Sequence, residues 1–142
     1  MKPITVVIDR TMSGVSNNRI LLVDDEPDLT AIFSMGLEDN GLKVNTFNDP
    51  QLALSEFKEG AYDLVILDYK MPNLNGFELY REIRKVDEKV RVCFLTAFDI
   101  HSEDLKIPLQ SISTEQDAMK HFIQKPIELD DLVKRIKEEL IS

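Results

Sequence analysis

Five short apolar runs recur along the chain, separated by stretches whose apolar residues fall at helical spacing. Ile20-Leu21-Leu22-Val23, Lys43-Val44-Asn45-Thr46-Phe47, Leu64 to Leu67, Val90 to Leu95 and Phe122-Ile123 read as strands, the first, third and fourth nearly unbroken in their hydrophobicity. Strands apolar on both faces mark a parallel sheet covered by helices on each side. Between them, Pro27 to Asn40 carries Leu29, Ile32, Phe33, Gly36 and Leu37 at helical spacing, with Gly41 as a stop signal. Asp49-Pro50 pairs a cap with a first-turn proline and opens a helix through Leu52, Ala53, Leu54 and Phe57 to Gly60. Phe77, Leu79, Tyr80 and Ile83 predict a third helix, and the capping-box-like Thr114-Glu115-Gln116-Asp117 a short fourth. Leu129, Leu132, Val133, Ile136 and Leu140 make an amphipathic fifth. The order βαβαβαβαβα with right-handed crossovers is an α/β, doubly wound, five-stranded parallel sheet with helices on both faces.

Two segments stand outside this repeat. Ile4 to Ile8 is apolar enough for an extra edge strand and Ser13 to Asn18 reads as a linker, so residues 1–18 are expected to form an arm that packs on the domain or on a partner. Phe98 to Ser113 is long, polar and interrupted by Pro108, and reads as a loop.

Composition narrows the function. The chain has 142 residues, 43% of them hydrophobic, which suits one compact domain spanning 19–142 after the arm. Its 26 acidic and 17 basic residues give a formal charge of -9, and the basic ones are scattered. That balance repels nucleic-acid phosphates and anionic membranes, so neither is an expected partner. Cys93 is the only cysteine and lies in an apolar run, an expected inert core thiol. No signal peptide or long apolar span is visible, and a cytoplasmic location is expected. His101 and His121 stand twenty positions apart with no further Cys or His beside them, which argues against a metal site built on them.

The chemistry gathers at strand ends. Asp68 closes the run Leu64-Val65-Ile66-Leu67 and opens a loop punctuated by Pro72 and Gly76, while Asp24 and Asp25 follow Val23 at once. In a parallel sheet these carboxylates leave from the same edge, where open α/β sheets carry their ligands. Three such charges in a partly buried cleft shift their pKa values or attract a cation, and an all-oxygen set selects Mg²⁺ or Mn²⁺. Thr96 and Lys125 each stand just past an apolar run as well. Carboxylate, metal, hydroxyl and ammonium at one point suit a phosphoryl group, with the carboxylate as nucleophile.

Leu21-Leu22-Val23-Asp24-Asp25-Glu26-Pro27, Leu67-Asp68-Tyr69-Lys70-Met71-Pro72-Asn73-Leu74-Asn75-Gly76, Leu95-Thr96-Ala97 and Gln124-Lys125-Pro126 together resemble the receiver domain of two-component response regulators, the chemotaxis-regulator-like kind. The resemblance covers about residues 19 to 141, with four motifs in order and at compatible spacing. It implies the flavodoxin-like strand order 2-1-3-4-5. It also implies that Asp68 accepts a phosphoryl group from a sensor histidine kinase or phosphotransfer protein. Asp25 then corresponds to a direct Mg²⁺ ligand, Asp24 to an acid holding metal-bound water, and Lys70 to a backbone-carbonyl ligand. Thr96 matches the switch hydroxyl, Lys125 the lysine that pairs with the phosphoryl oxygens, and Phe122 the aromatic whose rotamer reports the state. Lys125-Pro126 falls at a peptide bond that is typically cis in the family.

The function so implied is phosphorylation-controlled signalling, with catalysis limited to the domain's own phosphoryl uptake and loss. A haloacid-dehalogenase-type phosphatase would want a second acid two residues after Asp68, where Lys70 stands, and a flavodoxin-like cofactor binder would meet repulsion from Asp24-Asp25-Glu26. The output is open: a stand-alone regulator or shuttle, a piece of a longer regulator, and a homodimer are all compatible. Thr96 to Lys125 spans 29 positions, longer than the family usually needs by about two helical turns, which puts the usual output face in doubt. Lys70 and Phe98 occupy the positions that border the attacking water's path in this family. A distinctive phosphoryl lifetime is therefore predicted: Lys70→Ala or Phe98→Ala changes the autodephosphorylation rate, and unchanged rates in both variants discard the idea.

Overall fold

The computed structural model describes residues 18–72, 74–97 and 122–141. The expected arm apart from Asn18, the fourth helix near Thr114, Asn73, Phe98, His101 and His121, and the Phe98 to Ser113 loop lie outside them.

The strands are β1 (Arg19–Val23), β2 (Lys43–Phe47), β3 (Leu64–Asp68), β4 (Arg91–Thr96) and β5 (Phe122–Gln124). All pair in parallel in the order β2-β1-β3-β4-β5, with Ile20 opposite Val44 on one side and Leu64 on the other. The helices are α1 (Pro27–Asp39), α2 (Pro50–Glu56), α3 (Gly76–Val86) and α4 (Leu129–Ile141). The predicted α/β class and strand order are both present.

The pleat sorts the apolar runs between two cores, because successive strand residues point to opposite faces. Leu21, Val23, Val65, Leu67, Val92, Phe94 and Phe122 meet Ala53 of α2 and Phe77, Leu79 and Ile83 of α3. Ile20, Leu22, Leu64, Ile66, Cys93, Leu95 and Ile123 meet Phe33 and Leu37 of α1 and Leu132, Val133 and Ile136 of α4. Each fully buried Leu, Ile or Val in these layers stabilises the fold by roughly 1.5–3 kcal/mol. Cys93 is buried, and burial pushes its thiol up to about 12, so it holds no thiolate at neutral pH.

Two details depart from the sequence pattern. Ile32 and Leu52, expected on inward faces, are 54% and 51% exposed, because the inward stripe of α1 runs through Thr30, Phe33, Gly36 and Leu37, and α2 buries Ala53 instead. Helix α2 also stops at Glu56 rather than near Gly60. Phe57 turns extended there, joins the core and stacks on Tyr62 at 5.9 Å, so burial of a large ring overrides helix continuation. Gly41 does end α1 as expected: its φ of 87° is the left-handed conformation in which its N–H reaches the Glu38 carbonyl. No helix among the described residues is long and apolar enough to cross a membrane.

The loops on the lower edge are tied by Asp87, whose buried carboxylate accepts from the N–H groups of Gly60, Lys89 and Val90 at 2.9, 3.0 and 3.2 Å. These bonds, the Gly60 one foremost, hold its pKa below the usual carboxylate value. Its contribution is thus present above the unfolded pKa and lost as pH falls through the lower folded one. Asp87→Asn is expected to cost about 2 kcal/mol in urea denaturation at pH 7, with the difference from wild type shrinking at pH 3.

Candidate functional site

Strand order reverses between β1 and β3, so the loops that follow them part and leave a crevice at the carboxyl edge of the sheet. Asp24 follows β1, Asp68 ends β3, Thr96 ends β4 and Lys125 follows β5. Asp24, Asp68 and Thr96 are 0%, 5% and 1% exposed, whereas Asp25 is open to solvent. Carboxylate oxygens of Asp24, Asp25 and Asp68 all lie within 4.8 Å of one another, the one such acidic group among the described residues. The predicted acids therefore meet.

Lys125 closes the group. Its backbone N–H donates to the Thr96 carbonyl at 2.6 Å, which fixes the end of β5 against the end of β4. Its Nζ reaches Asp24 Oδ2 at 2.9 Å, Glu26 Oε1 at 3.2 Å and Asp68 Oδ1 at 3.3 Å. The Lys125-Pro126 peptide is cis, as the resemblance implies.

The pKa values follow from this crowding. Burial, reinforced by the charge of Asp24, raises the Asp68 carboxyl to about 7 despite the opposing Lys125 ammonium. Burial also raises Asp24, against the hydrogen bond from Lys125. For Lys125 itself burial works downward, but the bond to Asp24 and the charges of Asp24 and Asp68 outweigh it and raise the ammonium's pKa. Donor chemistry fits a hard divalent cation: three carboxylates converge, and the cost of their mutual repulsion is what such an ion relieves.

Other residues hold the frame. Asp24 Oδ1 accepts from the Glu26 N–H at 3.0 Å, and the Asp24 N–H donates to the Phe47 carbonyl at 3.1 Å. Asn48, at the end of β2, donates its amide to the Asp24 carbonyl at 2.8 Å and to Thr30 Oγ1 at 3.1 Å. Across the crevice, Gly76 starts α3 against the backbone of Asp68: a Cβ there would lie 2.3 Å from the Asp68 carbonyl oxygen. Its N–H bonds the Tyr69 carbonyl at 2.7 Å, and Asn75 and Glu78 cap the helix reciprocally. Lys70 is exposed beside Asp68. Phe122 is buried and stacks on Phe94 with centroids 5.1 Å apart. The bonds of Asn48 and the pairing of Glu26 with Lys125 have no counterpart among the sequence expectations. Glu26 stands inside the Asp24-Asp25-Glu26-Pro27 motif, so its position was a signal, but its partner is 99 residues away.

The model of the response regulator receiver domain matches residues 20–137. The chain belongs to that family. The transcriptional regulatory protein TrcR of Mycobacterium tuberculosis is 32% identical over 119 residues, 84% of this chain and 44% of that regulator. The receiver domain thus spans about half the length of the curated relatives it matches. The response regulator TrrA of Thermotoga maritima, solved in complex with Mg²⁺ and BeF, is 32% identical with a TM-score of 0.66, covering 85% of this chain and 97% of that one. A chain in the structure of histidine kinase ThkA with TrrA is 33% identical with a TM-score of 0.68, covering 88% and 99%.

The raised pKa of Asp68 has a measurable sign. Unfolded, the carboxyl loses its proton near 3.8; folded and free of metal, near 7. The native state binds more protons in that window, so stability falls as pH rises through it. With chelator present, Asp68→Asn is expected to be more stable than wild type at pH 8 by about 2 kcal/mol, the gap closing below pH 4. Thermal denaturation across this range checks it.

Proposed function

We propose that the chain takes a phosphoryl group onto Asp68 from a sensor histidine kinase or phosphotransfer protein in a Mg²⁺-dependent reaction, and switches conformation to control an output partner. The observation that carries this reading is the meeting of three carboxylates and one ammonium at the carboxyl edge of the sheet. Mg²⁺ or Mn²⁺ would be held by Asp25, Asp68 and the Lys70 carbonyl, with Asp24 holding metal-bound water. When bound, the cation offsets negative charge on the transferring oxygens.

The chain's own residues do the rest. An Asp68 carboxylate oxygen forms a bond to phosphorus as the bond to the donor's imidazole nitrogen breaks, leaving an acyl phosphate on Asp68 and the imidazole on the donor. Burial keeps bulk water from the product, and Lys125 supplies a fixed positive charge beside it. Thr96, at the end of β4, turns its hydroxyl toward the new oxygens. The added charge then biases a two-state packing that involves Phe122. The relatives' names as transcriptional regulators support a signalling role rather than turnover of a free substrate.

Acetyl phosphate with Mg²⁺, read by intact mass, tests this. Wild type is expected to gain one phosphoryl group, and Asp68→Asn or chelator-treated protein none. A group that persists in Asp68→Asn, or none on wild type, overturns the proposal. Size-exclusion chromatography of the same samples reports whether phosphorylation changes assembly.

A further inference from the structure

An ammonium has three N–H donors, and the Lys125 ammonium has three carboxylate acceptors around it, from Asp24, Glu26 and Asp68. Any anion that arrives at Asp68 and draws on this lysine is a fourth acceptor, so one of the present three must give way. The three are not equally free to do so. Asp24 is buried and tied through its own carbonyl, N–H and carboxylate to Asn48, Phe47 and the Glu26 backbone. Asp68 is buried at the strand end and carries the incoming group. The Glu26 side chain is 64% exposed, and among the described residues its carboxylate has no partner other than Lys125, whose side chain is 15% exposed. It is the partner that solvent can take over.

We infer that Glu26 is a positioning residue that competes with the phosphoryl group for Lys125, holding the ammonium toward the mouth of the crevice until an anion at Asp68 displaces it. This rests on the proposed function, since it names the regulation of that same site. Two effects then act in one direction when the Glu26 charge is removed: Lys125 is released toward Asp68, and an anion entering the crevice meets one fewer negative charge. An exposed ion pair of this kind contributes modestly, so the expected change in anion affinity is about two- to fivefold. The pair holds the lysine in one place without closing the site.

Fluoroberyllate titrated by calorimetry at fixed Mg²⁺ reads the competition without relying on turnover. Glu26→Gln keeps the shape of the side chain and is expected to bind fluoroberyllate about two- to fivefold more tightly than wild type. Asp28→Asn removes a neighbouring exposed charge on the first turn of α1 that makes no ion pair with Lys125, and is expected to match wild type. In a Lys125→Ala background the Glu26→Gln gain should shrink to the part that comes from the removed negative charge alone, because the competition needs the lysine. Equal or weaker binding by Glu26→Gln, the same gain in Asp28→Asn, or a gain that is undiminished in Lys125→Ala each overturns the inference. Those results leave the proposed function standing; failure of wild type to bind fluoroberyllate at all removes that function and the inference with it.

Discussion

The ion pairing of Lys125 with Asp24 and Asp68 is the interaction on which the site depends. Two buried carboxylates at the ends of adjacent strands repel each other in a region where water screens poorly. Raising the Asp68 pKa to about 7 is one response, and the ammonium at 2.9 and 3.3 Å is the other. Neither removes the strain. The free site is therefore poised: a divalent cation or a change at Asp68 acts on a group whose charge state is already near its tipping point. A surface triad of the same residues, hydrated and far apart in energy from such a balance, would have no comparable response.

That balance requires a frame stiffer than the charges it holds. Parallel pairing puts Val23 opposite Leu67 and Asp68 opposite Leu95, so the loops carrying the acids leave from neighbouring, fully buried strand ends. Asn48 then pins the Asp24 backbone to the first turn of α1, and Gly76 allows α3 to begin in contact with the Asp68 carbonyl. Any side chain at Gly76 would push on the backbone of the proposed phosphorylation site. The glycine is needed there for close approach, not for a turn: its φ is not in the left-handed range, unlike those of Gly41 and Gly60.

Sequence made the strand ends legible because the signal is local. An unbroken apolar run followed at once by an acid, a hydroxyl or an amine fixes both the element and the edge, and Asp24, Asp25, Asp68, Thr96 and Lys125 all occur in that setting. The partners of these groups were not legible. Glu26 finds Lys125 across 99 positions and Asn48 finds Asp24 across 24, and no local pattern encodes such pairings. Helical spacing likewise identified α1 and α2 without resolving their flanks, which is why Ile32 and Leu52 were expected inside. At Phe57 the competing term was tertiary: a large ring gained a core position by leaving the helix early.

The same alternation that builds the two cores also puts the hydroxyl at the end of β4 on the side of the aromatic cluster. Thr96 lies two residues after Phe94, hence on the same face of the sheet, the face covered by α2 and α3. There Phe94 stacks on Phe122 at 5.1 Å and meets Tyr80 edge-on at 5.6 Å, and Arg84 lies 5.1 Å over the Tyr80 ring. Moving the Phe122 ring out of this set forfeits an aromatic contact of about 0.5–1.5 kcal/mol beyond its buried area. A phosphoryl group shifts the packing only by as much as it favours the alternative arrangement over this one. If the proposed phosphorylation of Asp68 moves this ring, the stack sets the threshold it must exceed, and Tyr80 and Arg84 of α3 are linked to that ring through Phe94.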